Sequence, residues 1–530
     1  MREERISEFI LGLILLLAIL AQAPELKFLL PDFVIEDEMI ALQGFYQLAS
    51  GNFQGTAFYK YPGLIILILA LLIYPANLVY NFRALIHLET FSDFKILLAH
   101  PRLSPESIFY LGRWTSLAAG VLSVWLFYLL FRRRIGNRPA LIGCVFLAFS
   151  PAWLFSSSVF KNDSFLLLSL MLLLIGAFGI LDQGRNKDYL LAGLGLGLCL
   201  AAKFHFFALI PLIYAHRLRQ SSLGFGKALF RKELFFSLAP GLIIFFLFSP
   251  LQFFRPLNAF SNLGLELAIQ SHGHPLLKAS FQHWYYWPVL FQLICVFPFA
   301  LGIPGYLLSI SGFRLAAKTL GKPGFRLFLS YPLGFFLGWA VISRLGYPHL
   351  YLPLTPFFAL PAGLAIDRML KKKFFYQLGG IILFVGSMVF NLAGFREFNE
   401  VQTRIIYQGL DSLKDLSIGK EKTVAFFPYR PLAGSGYLSE FQFEPQFLLT
   451  EKWLAQNHPD KVLVHQTSYL AYLDNPELNS PAREGFFLLS QGKLNYRLER
   501  EWKAELRAAK IYAYFFPDLN YFSVALYQKK

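Results

Sequence analysis

Long apolar runs, broken by short polar stretches, fill the chain from its N-terminus to about residue 393. They cover roughly 8–29, 107–131, 139–158, 164–182, 188–202, 204–216, 234–254, 286–309, 326–342, 350–366 and 374–393. A helix needs about 20 apolar residues to cross about 30 Å of hydrocarbon. Lipid also requires each backbone group to bond within its own helix or in a closed barrel. Barrel-type alternation is absent from these runs, so the pattern predicts about eleven transmembrane helices. The stretch from Asp188 to Arg217 would run about 45 Å as one helix, too long for a straight crossing. Two short helices turning near Lys203 resolve this. The apolar piece 62–80 contains Pro62 and Pro75 and lies between polar stretches. It reads as a helix lying in the interface.

Beyond residue 393 the pattern changes to mixed polar and aromatic. "KTVAFFPYRPLAGSGY" and "DKVLVHQTSYLAYL" read as short strands and turns. The expected organisation is a membrane domain over 1–393, with 31–106 as its first outer loop, and a soluble α/β domain over 394–530.

Composition agrees with a polytopic membrane protein. Of 530 residues, 55% are hydrophobic and only 15% are charged, against about 25% charged in soluble domains. The net charge of +16 does not point to nucleic acid, because Lys and Arg gather in short loops between apolar runs. "FRRRIGNRP", "DQGRNKD", "HRLRQSSLGFGKALFRKE", "GFRLAAKTLGKPGFR" and "DRMLKKKFF" are basic, whereas "SVFKND" and "SRLGYPH" carry only Lys161 and Arg344. The basic set should be cytoplasmic. That places the N-terminus inside, and residues 31–106 and 394–530 outside. The run Phe9 to Ala23 has the look of a signal peptide, but the spans that follow favour an uncleaved first helix. Cys144, Cys199 and Cys295 all lie in apolar segments, with neither disulfide nor metal spacing.

On this topology, candidate chemistry converges on the outer face. Glu36, Asp37 and Glu38 follow the first span, and Asp163 opens the fourth in "VFKNDSF". Lys60 lies in "FYKYPGL", Lys203 at the turn of spans 5 and 6, and Arg344 between spans 9 and 10. His272, His274 and His283 occupy "SHGHPLLKASFQHWYYW". Ionisable groups at membrane depth are costly and usually functional. Each also has a plain reading: a solvated loop for the acids, a helix N-cap for Asp163, a snorkelling side chain for Lys60, an interfacial anchor for Arg344. The histidines lack zinc spacing. "LAGLGLGLCLA" reads as a helix-packing surface, since no strand precedes it as a phosphate loop would require.

Taken in order, these elements resemble the GT-C glycosyltransferases, in particular the protein O-mannosyltransferase and aminoarabinose-transferase group, glycosyltransferase family 39-like. The resemblance covers most of residues 1–370. It runs from the acidic pair in "DEMIALQGFYQLASG" to the aromatic-Lys-Pro element "FYKYPGL". "FKNDSFLLLSLMLLL" supplies the second acid, and "YLLAGLGLGLCLAAKFHFFALIPL" the glycine-rich helix ending in Lys. "RLGYPHLYLPLTPFFAL" resembles the late Arg- and Tyr-bearing segment. The aminoarabinose enzymes have an Arg shortly after the acids, where this chain has Met39, Ile40 and Ala41. The Glu that helps some relatives hold a metal is Tyr59 here.

The resemblance implies transfer of a sugar from a polyprenyl-phosphate carrier to an extracytoplasmic glycan, lipid or protein acceptor, with inversion. Asp37 would be the base, with Glu38 or Asp163 orienting it or stabilising the oxocarbenium-like sugar. Lys60, Arg344 and Lys203 would meet the donor phosphate, and Tyr59, His272, His274 and Tyr351 would belong to the substrate loops. No cofactor is named and a divalent metal is left open. Membrane lipids are the surroundings, and a bacterial inner (plasma) membrane fits. A transporter or lipid flippase would place ionisable groups at the midplane and show internal repeats, neither of which is clear. A polysaccharide polymerase or ligase of another fold would lack the early acid-plus-Lys-Pro loop. A scaffold would tolerate Asn at position 37.

Overall fold

The computed structural model describes residues 2–30, 32–49, 63–80, 103–254, 256–257, 260–261, 263–264, 267, 271, 287–343, 348–416, 423–427, 429–431, 442–445, 449–465, 481–505 and 521–530. Every apolar stretch expected to span carries helix. Among the described residues, five helices are long and apolar enough to cross a membrane: Glu3–Lys27, Pro105–Ile135, Asn162–Asp182, His349–Leu370 and Phe374–Asp411. Two bent pairs would raise the number to seven. The chain is a multi-pass membrane protein.

Local chemistry sets the helix ends. Pro105–Ile135 starts where the Ser104 side chain accepts from the Ser107 amide, with Pro at the first position and Arg132, Arg133 and Arg134 in the last turn. Each feature complements the unsatisfied groups or dipole of its terminus. The next apolar stretch is bent by 59° between Asn137–Ala148 and Pro151–Ser158. Ser150 caps the second piece by accepting from Trp153. The stretch expected to span 286–309 is not one helix. It turns by 112° at Gly302, whose φ of +77° suits glycine, and the chain restarts as Ile303–Phe335. That helix is itself kinked at Gly321.

The turn near Lys203 is present. Asn186–Lys203 ends as Phe204 adopts the left-handed conformation, and Leu209–Arg219 follows. The glycines of "LAGLGLGLCLA" are a packing surface. A Cβ on Gly193 would lie 2.2 Å from the Ser237 carbonyl oxygen, and one on Gly195 would lie 2.4 Å from the Leu173 amide nitrogen. The piece read as interfacial forms the helix Leu64–Tyr80. Its Ile65, Ile66, Leu69 and Ile73 are buried with Phe45 of Glu36–Ala49 and Phe109 of Pro105–Ile135.

Phe374–Leu416 runs on through residue 393 as one helix of 43 residues. Its far half buries Val401, Ile405, Ile406 and Leu410 against the C-terminal sheet. The strands are β1 (Phe33–Ile35), β2 (Thr423–Phe427), β3 (Tyr429–Pro431), β4 (Gln442–Pro445), β5 (Lys461–His465), β6 (Tyr496–Glu505) and β7 (Tyr521–Lys529). Five form a sheet in the order β4-β2-β5-β7-β6. Its β2 is parallel to β4 and β5, and β7 is antiparallel to both β5 and β6. Separately, β1 pairs antiparallel with β3, Val34 opposite Arg430. The segment leading into the acidic cluster is thereby stitched to the C-terminal part.

Candidate active site

Charges separate to the two ends of the helix bundle. At one end Arg134 pairs with Asp182, where Pro105–Ile135 and Asn162–Asp182 both finish. Arg138 and Lys371 pair there with Asp367. At the other end the acids predicted from sequence come together with lysines.

Glu38 is fully buried in a two-pronged pair with Arg113. Arg113 Nε donates to Oε1 at 2.8 Å and Nη2 to Oε2 at 2.7 Å, both side chains being 0% exposed. The remaining capacity of each is used on backbone. Glu38 accepts from the amides of Phe160 at 2.8 Å and Ile35 at 3.3 Å. Arg113 Nη1 donates to the carbonyls of Leu26 at 2.9 Å and Phe28 at 2.7 Å. A buried pair is tolerated only when its other donors and acceptors are satisfied in this way. Four backbone groups are fixed around one ion pair.

Directly beside it in the chain, Asp37 is half-buried. Its Oδ2 lies 2.7 Å from Lys161 Nζ. Lys161 also approaches His349 Nε2 at 3.4 Å, and His349 stacks on Phe155. Burial alone would lower the Lys161 pKa. The carboxylates of Asp37 and Asp163 outweigh it and hold the ammonium above its ordinary value.

Asp163 is buried at the start of Asn162–Asp182. Lys161, not Asp163, holds the N-cap position there. Its Oδ1 accepts from Lys203 Nζ at 2.5 Å. Its Oδ2 has no partner among the described residues, and neither does Asn162 Oδ1. Just past Lys203, His205 Nε2 meets the Tyr331 hydroxyl at 2.5 Å.

The structure thus brings together Asp37, Glu38, Asp163 and Lys203 of the predicted set. Tyr351 is 1% exposed, packed between the rings of Phe297 and Phe335 in the protein interior rather than on an open loop. Lys60, Tyr59, Arg344, His272 and His274 lie outside the described residues. Sequence reasoning passed over Arg113, Lys161 and His349. For Arg113 there was a signal, a lone cation within an apolar helix. Among the described residues, no three His, Cys, Asp or Glu side chains stand close enough to hold a metal ion. Asp37 and Asp163 each face a lysine, a poor donor set for a divalent cation.

Residues 109–254 match the family model described as dolichyl-phosphate-mannose-protein mannosyltransferase. No curated protein matches the chain. Among solved structures, ArnT from Cupriavidus metallidurans bound to undecaprenyl phosphate is 12% identical, with 97% of each chain covered and a TM-score of 0.48. The Archaeoglobus fulgidus oligosaccharyltransferase tethered with an acceptor peptide is 11% identical, with 90% of this chain and 72% of that chain covered and a TM-score of 0.49. The matched segment contains Arg113, Lys161, Asp163 and Lys203, so the resemblance of this chain to GT-C glycosyltransferases of the protein O-mannosyltransferase type is supported by a family match across the lysine-bearing half of the site.

Proposed function

We propose that the chain is a membrane glycosyltransferase that moves a sugar from a polyprenyl-phosphate carrier to an acceptor hydroxyl on the outer face. The observation that carries this is the meeting of two carboxylate–lysine pairs, Asp37 with Lys161 and Asp163 with Lys203, at one end of the bundle. Residues 1–393 would carry the transfer, with the basic end cytoplasmic and 394–530 outside, in a bacterial inner membrane.

The chemistry needs both signs of charge. An acceptor oxygen attacks the anomeric carbon as the bond from that carbon to the phosphate oxygen breaks. The acceptor proton passes to Asp37, and the electron pair leaves with the lipid phosphate. Base assistance of this kind contributes typically 10²–10⁴-fold. Cations beside the departing phosphate stabilise the charge it gains. Lys203 takes that role within the described residues, and Lys60 and Arg344 are assigned to it from the sequence. In-line displacement inverts the anomeric centre. Glu38, wholly enclosed by Arg113 and two amides, acts on this reading by fixing the backbone next to Asp37. Asp163, held by Lys203 through one carboxylate oxygen, orients the site. The sugar and acceptor belong to a class, a lipid-borne glycosyl donor and a hydroxyl of a glycan, lipid or protein.

The test is transfer by the purified protein from polyprenyl-phosphate-linked sugars of several kinds, followed by mass analysis. Asp37→Asn should lower turnover by roughly 10²-fold or more with the protein intact, and Asp163→Asn by less. Full turnover with Asn at position 37 would remove the base assignment.

A further inference from the structure

Lys161 stands where two anions would compete for it. Its ammonium has three N–H donors. One is directed at Asp37 Oδ2 at 2.7 Å and a second, more weakly, at His349 Nε2 at 3.4 Å. It also lies over the face of Phe155, 6.0 Å from the ring centre, and near enough to Asp163 to feel its charge. The third N–H has no partner among the described residues. The side chain is 7% exposed, whereas Asp37 is 27% exposed. The cation is thus the enclosed member of the pair and the carboxylate the accessible one. An Asp held this closely by an ammonium is a poor proton acceptor, because the positive charge favours its ionised form. As it stands the base is masked.

Building on the reading above, we propose that Lys161 is a shared cation: it masks Asp37 in the free protein and turns to the phosphate of the lipid-borne donor when that arrives, which unmasks the base. His349 keeps one hydrogen bond to Lys161 throughout and acts as the pivot. The consequence is an order of events. The carboxylate becomes competent only once the donor phosphate is in place, so the donor precedes the acceptor. Lys161 is then a catalytic residue that touches the leaving group, and His349 a positioning residue.

Binding of farnesyl phosphate to the purified full-length protein in detergent tests this without knowledge of the acceptor, with farnesol as the uncharged comparison. Lys161→Met should weaken binding by about tenfold or more, the worth of one charge-assisted hydrogen bond. Asp37→Asn should tighten it by about tenfold, since the cation is released from its competitor. In the Lys161→Met background Asp37→Asn should change nothing beyond about twofold, because the two effects run through one side chain. His349→Phe should reduce the tightening caused by Asp37→Asn, and His349→Gln, which can still accept from Lys161, should restore it. If Lys161→Met does not accumulate, Lys161→Gln is read in the same way. Equal tightening by Asp37→Asn in both backgrounds would mean simple repulsion and overturn the shared cation. So would parental binding without Lys161. A parent that binds farnesyl phosphate no better than farnesol would instead defeat the donor class itself, and the shared cation with it.

Discussion

Replacing Arg113 by Leu should be among the most damaging single changes in the membrane domain. The substitution leaves the Glu38 carboxylate at 0% exposure with its cation gone, and strands the carbonyls of Leu26 and Phe28, which Nη1 now serves. Removing one partner of a buried pair costs about 3–5 kcal/mol. Each orphaned carbonyl alone would cost about 1–3 kcal/mol, although the two losses overlap with the first. The expected total of at least about 3–5 kcal/mol compares with a net stability of roughly 5–15 kcal/mol for a typical domain. The combined variant Arg113→Gln with Glu38→Gln should do less harm than Arg113→Leu. It removes both charges together while two amides remain to bond the same backbone groups. The assay is the fraction of purified protein that stays monodisperse in detergent after heating through a temperature series. The reasoning would be refuted by an Arg113→Leu protein whose midpoint stays within about 1 °C of the parent, a shift worth about 1 kcal/mol in a chain of 530 residues. It would equally be refuted by a combined variant less stable than the single one.

Two further outcomes follow from the fold. Gly195→Ala should cost about 1–3 kcal/mol by forcing apart helices in backbone contact, since its new Cβ would meet the Leu173 amide nitrogen at 2.4 Å. Gly12→Ala, with nothing within 4 Å, should be neutral in the same heating assay. Burial lowers the pKa of His465 in β5 to about 4, against about 6.5 in an unfolded chain. Between those values the unfolded state holds a proton that the folded state does not, so stability should fall as pH drops from about 6.5 to about 4 and level off outside that window. Hydrogen exchange of the β5 amides across a pH series should show this loss of protection, and His465→Phe should flatten it.

Much of the helical part was legible because apolar run length is a local signal. The turn at Lys203 followed from arithmetic on one segment, and the glycine stripe from spacing alone. The gathering of Asp37, Asp163 and Lys203 at one end of the bundle could be anticipated from which end of a helix each closes. Their pairing could not. Asp37 meets Lys161, and Glu38 meets Arg113 and Phe160, across separations of 75 and 122 residues for the latter two, and no periodicity encodes such distances. Lys161 was read only as one charge in a weakly basic loop, because its carboxylate partners come from packing. The 112° turn at Gly302 was hidden for a similar reason: an apolar run does not show whether it continues straight. Past residue 393, Val401, Ile405, Ile406 and Leu410 keep helical spacing on one face. The rise in polar residues on the other face drew attention away from it.

The pairing of β1 with β3 has an architectural consequence. Phe33, Val34 and Ile35 bond to Pro431, Arg430 and Tyr429, and the next residues in the chain are Glu36, Asp37 and Glu38. The C-terminal part is therefore not an appendage that could be exchanged like a cassette. A graft made after Leu416 would take away the partner of the very ribbon from which the acids hang, leaving three residues with an exposed hydrogen-bonding edge. Any chimaera that borrows a different outer portion must bring its own strand to receive Phe33–Ile35, or redesign that ribbon as well.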